Sequence, residues 1–200
     1  MRKTRMAKLV QKRSIRTRER LISAAEDIIA QNGYDGLRVD ELVLKAGVAK
    51  GTFFTHFKDK DALMEVLLGG RMDRVLDDMA ATPVPKSAAE VALRLHPLVD
   101  LMTCERYVFD LIIRHSGAAA IADIGPIAMA FGKFDAVLSQ WFERAGFRPT
   151  VDPHLLAEGV QAFAVQAMAL NFCAINGKRP LEDRLRDYLI AWLEPAEPGT

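Results

Sequence analysis

The chain has 200 residues, half of them apolar, enough to bury a core as one large or two small domains, and a net charge of +1. That near-neutral total hides a split: residues 1–60 carry 14 Lys+Arg against 7 Asp+Glu, a balance of +7, and the remainder carries 13 against 19, a balance of −6. A basic module for a polyanion joined to a module with another task accounts for the split, as does a solubilising basic arm.

Met1–Arg20 holds nine basic residues and one acid, Glu19, with no apolar run behind it, which argues against a secretory signal. The longest apolar stretch, Val160–Ile175, is interrupted by Gln161, Gln166 and Asn171 and is too short to span a membrane. The chain therefore reads as a soluble, cytoplasmic protein with no membrane partner. Cys104 and Cys173 lack CxxC or Cys/His ligand spacing and read as two buried, reduced thiols, with a redox switch as the alternative. Neither a metal ion nor a cofactor is expected.

In chain order almost every segment has helical periodicity, and none alternates with period two over a strand's length. A basic arm over residues 1–15 leads into a first helix striped by Leu21, Ala25, Ile28 and Ile29, which Gly33 stops. Val39, Leu42, Val43 and Ala46 mark a second short helix that Gly47 turns, and a third follows from about Ala49 to His56. Asp59 caps a fourth, whose apolar positions Leu63, Val66, Leu67, Val75, Leu76 and Met79 extend past the pair Gly69-Gly70, either a flexing point or a local kink.

Beyond the linker Thr82–Ser87, Ser87 and Glu90 match a capping box that opens a fifth helix, which Pro97 should bend or end. A helical region over Glu105–His115 and a loop around Asp123–Pro126 follow. Ile127, Phe131, Phe134, Leu138 and Trp141 stripe the next helix. Asp152-Pro153 starts a long helix reaching Asn176 that is apolar nearly all round and demands partners on more than one side. Leu181, Leu185, Tyr188, Leu189 and Trp192 stripe the last, so the fold class is all-α with about nine helices.

The chemistry concentrates where two short helices meet at "KAGVAKG", a helix-turn-helix pattern with Gly47 in the turn and Val48 plugging the core. Phe53 and Phe57, at i and i+4, share the core face, whereas Thr52, Thr55 and His56 lie on a flank turned away and Phe54 sits at the opposite edge. A helix of this size fits the DNA major groove, where the hydroxyls and Lys50 reach base edges or phosphates. Lys60 and Arg38, each at a helix start, and Lys58 are placed for phosphates.

Residues 16–68, and "AGVAKGTFFTHF" and "KDKDAL" within them above all, resemble the DNA-binding domain of the TetR family of bacterial transcriptional regulators. The resemblance implies a homodimer with an N-terminal three-helix DNA-binding domain, here residues 16–62, and a larger effector-binding and dimerisation domain, here 63–200. Carried over by position, it places DNA contacts on Val39, Lys50, Gly51, Thr52, Phe54, His56 and Lys60. The chain departs from the family pattern twice. Phe54 stands where a phosphate-bonding tyrosine is common, and Arg38 stands where Ser or Thr caps the second helix, forgoing a cap worth about 1 kcal/mol while offering a charge in place of the lost phosphate bond.

In the second domain Leu98, Met102, Tyr107, Phe134, Trp141, Phe163 and Met168 read as pocket lining or as plain core, and Asp110, Arg114 and His115 as groups that orient a ligand's polar end. Asp110 and Arg114 are equally spaced for a surface ion pair. A dimer built as a four-helix bundle would use the last two helices, with Ala157, Ala164, Ala167, Leu185, Tyr188, Leu189 and Trp192 at the contact. The function expected is a DNA-binding regulator, a repressor released from a palindromic operator by a small, mostly apolar ligand. The alternatives are an activator and a helical ligand-binding protein that no longer reads DNA. An enzyme is not expected, since no metal spacing, Gly-rich phosphate loop or nucleophile motif is present.

Overall fold

The computed structural model describes residues 2–117, 124–175 and 178–194, and side chains from residue 11 onward. Nine helices form among them, without a strand: α1 Arg2–Asn32, α2 Val39–Ala46, α3 Lys50–His56, α4 Lys60–Ala80, α5 Ala88–Thr103, α6 Arg106–Arg114, α7 Pro126–Ala145, α8 Pro153–Asn171 and α9 Leu181–Leu193. The chain divides into two compact units, Met1–Leu67 and Leu68–Thr200, so the boundary falls inside α4, five residues beyond the position read from sequence.

In the first unit, the segment expected as a basic arm is helical and continuous with α1 from Arg2. No Gly or Pro interrupts residues 2–32, and Lys, Arg and Ala are good helix formers. Leu21, Ala25 and Ile28 are fully buried, with Tyr34, Leu37, Leu42, Phe53 and Phe57 completing the core. Val48 is half-buried rather than a core plug.

In the second unit, Ser87 caps α5 by accepting from the Glu90 N–H at 3.2 Å, and the Glu90 carboxylate returns a bond to the Lys86 N–H at 2.9 Å. Pro97 does not end α5, which runs on to Thr103. The carbonyl that loses its i+4 donor belongs to Leu93, a residue 63% exposed.

The apolar α8 is covered from three sides within the chain, by α7, α9 and α5. Asp152 caps it through the His154 N–H at 2.7 Å, and the helix ends at Asn171, short of the expected Asn176, a residue outside those described. Its C-cap residue Phe172 packs against Phe109 of α6, the rings tilted by 37° with centroids 5.4 Å apart. Gly159 lets Trp192 of α9 lie against α8, where its indole N–H donates to the Leu156 carbonyl at 3.1 Å. Lys133 of α7 bridges Asp73 (2.6 Å) and Asp77 (2.8 Å) of α4, and these bonds, Asp73 first, raise its pKa above the ordinary lysine value.

The cysteines are reduced but not buried: Cys104 is exposed and Cys173 half-buried. Partial desolvation and the neighbouring Glu105 raise the Cys104 pKa, which keeps the sulfur a poorly reactive thiol at neutral pH.

Candidate nucleic-acid interface

The turn between α2 and α3 is built on Gly47, whose left-handed backbone (φ 62°, ψ 43°) only glycine adopts without strain. Its N–H donates to the Leu44 carbonyl at 3.1 Å and the Val48 N–H to the Val43 carbonyl at 3.0 Å, the paired bonds of a Schellman stop. Helix α3 then restarts from Ala49, whose carbonyl accepts from the Thr52 N–H at 2.9 Å.

Phe53 is fully buried and Phe57 3% exposed, their ring centroids 5.7 Å apart, and this pair fixes which face of α3 looks outward. That face carries Lys50, Gly51, Phe54, Thr55 and, just beyond the helix, Lys58. Nothing lies within 4 Å of where a Cβ on Gly51 would sit, so backbone can approach closely there. Phe54, placed at the edge by sequence, is 51% exposed and meets Phe53 edge-on at 5.2 Å. Thr52 and His56 are half-buried instead, because the wheel of α3 alone says nothing of the neighbouring helices that cover its flanks.

The cations are held by named partners. Lys50 pairs with Asp40 of α2 at 2.7 Å, both side chains more than half exposed, an ion pair weak enough to exchange for another anion. Arg38, exposed at the start of α2 and making no side-chain cap, donates to the carbonyls of Asp35 and Leu37. Lys60 lies 3.5 Å from the same Asp35 carbonyl, so two candidate phosphate contacts 22 residues apart in sequence converge on one loop. Val39 beside Arg38 is half-buried.

Sequence reasoning missed two arginines of α1. Arg18 donates to the His56 carbonyl at 3.1 Å with its guanidinium 4.4 Å over the Phe57 ring, and Arg20 donates to the carbonyls of Ala46 and Gly47. A signal existed: Arg18 shares the stripe of Leu21 and Ala25 at i+3 and i+7, which turns it toward the core side of its helix.

In the second unit the candidate ligand residues divide by burial. Leu98, Met102, Phe134, Trp141 and Met168 are no more than 3% exposed and pack as core. Tyr107, His115 and Phe163 are half-buried, Arg114 is exposed, and Asp110 is held on the surface by Arg106 through two bonds of 3.1 Å. None of these ten residues lines either of two open clefts. One, of about 340 Å³ between α4 and α7, is bounded by Gly69, Asp73, Pro126, Met129 and Lys133; the other, of about 200 Å³ between α4 and α5, by Val75, Met79, Leu93 and Arg94.

The candidate dimer contacts need a correction. Ala157, Ala164, Ala167, Leu185 and Leu189 are buried inside the protomer, since the partners that α8 demanded are its own neighbours α5, α7 and α9. Tyr188 and Trp192 are half-buried and stack on Phe163 at 5.4 and 5.8 Å.

Residues 21–67 match the model of the bacterial regulatory proteins of the tetR family. Solved structures share the fold over nearly the whole chain. A TetR-family transcriptional repressor, FadR of Thermus thermophilus in complex with lauroyl-CoA, is 18% identical at a TM-score of 0.60, covering 92% of this chain and 100% of that one. The regulator FadR of Bacillus subtilis in complex with stearoyl-CoA is 19% identical at 0.54, covering 90% and 99%. A protein of unknown function from Rhodococcus sp. RHA1 is 18% identical at 0.63, covering 88% and 93%. The helix-turn-helix thus lies within the segment that matches the tetR-family model, and the chain as a whole shares the fold of these TetR-family regulators.

Proposed function

We propose that the protein is a homodimeric repressor whose two α3 helices read a palindromic operator in successive major grooves, and that a small, mostly apolar effector releases it. The observation that carries DNA reading is the outward face of α3, with Lys50, Gly51, Phe54 and Thr55 exposed on a helix whose opposite side is locked by Phe53 and Phe57. Lys58, Lys60 and Arg38 flank that face as phosphate contacts, with Thr52, His56 and Val39 at its margins. The dimer contact proposed is the outer side of α8 and α9, where Leu155 (50%) and Ile190 (38%) stay exposed beside Phe163, Tyr188 and Trp192. Ligand occupancy in the second unit reaches the first through α4, which is continuous across both.

Two structural neighbours were solved with acyl-CoA thioesters, whose CoA moiety is large and charged, so the first test compares a long-chain acyl-CoA with its free fatty acid, the small and mostly apolar part. The deciding experiment is a gel shift with fragments of the source genome in excess competitor DNA at physiological salt. Specific binding that falls steeply with salt supports the regulator, because each phosphate contact releases counterions. Absence of specific binding favours a ligand-binding protein without DNA reading.

A further inference from the structure

We infer that Arg18 and Arg20 are positioning residues for DNA reading, which from α1 hold the last residue of the recognition helix and the turn that leads into it rather than contacting phosphate themselves. The inference rests on the DNA-reading role proposed above for α3.

Helix α3 has seven residues, too few to persist without tertiary support. Its last carbonyls and those of α2 have no partner within their own helices and carry the negative ends of the helix dipoles. Arg18 meets both needs at the far end of α3. Its Nη1 donates to the carbonyl of His56, the last residue of the helix, and its guanidinium covers the ring of the core anchor Phe57 at 4.4 Å. One side chain thus fixes the position of the helix end and, through the anchor ring, the rotation of the helix about its axis.

Arg20 acts on the end of α2 and the turn before α3. Its Nη2 donates to the Ala46 carbonyl and, at 3.2 Å, to the carbonyl of the turn residue Gly47. A Cβ on Gly47 would come within 3.0 Å of that nitrogen, so turn and guanidinium are fitted to each other. Planar, forked donors that also stack are a property of arginine that lysine lacks. Two of the 14 basic residues behind the +7 balance therefore serve the geometry of the reading head and not the polyanion.

The test uses the full-length protein and two DNA probes: a duplex enriched from a random pool by the wild-type chain, and an unselected duplex of the same length. The expected result is that Arg18→Gln and Arg20→Gln each weaken binding to the enriched duplex by about tenfold or more. Affinity for the unselected duplex and the slope of log K against log salt stay at wild-type values. Arg18→Lys keeps the charge but not the fork and stack, so it behaves as Arg18→Gln does, and amide hydrogen exchange in α3 quickens in each variant.

Three results would overturn the inference: wild-type affinity in Arg18→Lys, equal losses on both duplexes with a slope smaller by about 0.9 as for a lost phosphate contact, or unchanged exchange in α3. If a glutamine variant does not fold, the charge-conserving Arg18→Lys decides. Failure of the pool to yield any enriched duplex overturns the DNA-reading proposal and this inference with it, whereas enrichment followed by one of those three results overturns the inference alone.

Discussion

Gly69 and Gly70, adjacent in the middle of α4, are predicted to respond to alanine in opposite directions. A Cβ on Gly69 would stand 2.5 Å from the Pro126 Cβ, 2.7 Å from the Pro126 carbonyl carbon and 2.9 Å from the Ile127 nitrogen. Two of those atoms are backbone at the start of α7 and cannot swing aside. Overpacking of this kind costs about 1–3 kcal/mol, against a gain of about 0.5–1 kcal/mol from replacing a mid-helix glycine, so Gly69→Ala should destabilise by roughly 1–2 kcal/mol. A Cβ on Gly70 meets only the tip of Arg74 at 3.9 Å, so Gly70→Ala should stabilise by about 0.5–1 kcal/mol. The two variants should differ by about 2–3 kcal/mol, or roughly 5–10 °C in Tm for a chain of this size. Thermal and urea melts followed by circular dichroism at the helix band measure the difference. A Gly69→Ala protein as stable as wild type would refute the packing argument. Replacing both glycines would confuse two effects; Gly70→Ala alone stiffens α4 without a clash. If it leaves DNA affinity and ligand response unchanged, the pair is not a hinge.

Gly159→Ala should expel the Trp192 ring, because a Cβ there would lie 2.5 Å from the indole nitrogen and 2.6 Å from Cζ2. The expected cost is about 1–3 kcal/mol, with a red shift of Trp192 emission in a Trp141→Phe background; an unshifted spectrum would contradict the close approach. Phe54→Tyr places a hydroxyl on the exposed face of α3 and should tighten DNA binding by about two- to tenfold; no change in a binding titration would mean that Arg38 already fills that role. The His154 Nδ1–H donates to the Asp135 carboxylate at 2.9 Å, and the hydroxyl oxygen of buried Ser139 lies 3.0 Å from the same nitrogen. The Asp135 bond chiefly, with the charges of Asp135, Asp152 and Glu143, raises its pKa above the ordinary 6.5. A raised folded pKa adds stability that is fully present below the unfolded value and disappears as pH rises through the folded one. The Tm advantage of wild type over His154→Asn should therefore be largest below pH 6.5 and shrink on the alkaline side; an advantage that grows with pH would reverse the assignment.

Helix starts and stops were legible wherever one residue type carries the physics. Gly47 ends α2, Asp59 accepts from the Ala62 N–H at 2.8 Å at the start of α4, and Ser87, Asp152 and Pro153 open α5 and α8 as their chemistry demands. The buried pair Phe53 and Phe57 was equally legible, since i, i+4 spacing puts both on one face. The half-burial of Thr52 and His56 was not, because it depends on which neighbouring helices flank α3. Arg18 and Arg20 were read only as charge, their targets being carbonyls 26 to 38 residues away.

The second unit shows the same division more sharply. A helix apolar nearly all round was correctly read as needing several partners, but sequence could not say whether those partners lie in the same chain, and α5, α7 and α9 bury the very alanines that seemed free for a second copy. By itself, then, the amino-acid order determined the helices, their caps, the turn geometry and the core face of the recognition helix, all of which act over a few residues and carry fixed periodicities. Only the tertiary structure decided which charges are engaged, which apolar faces are already covered and why a Cβ finds room at Gly70 but not at Gly69, since each depends on atoms brought together from distant parts of the chain.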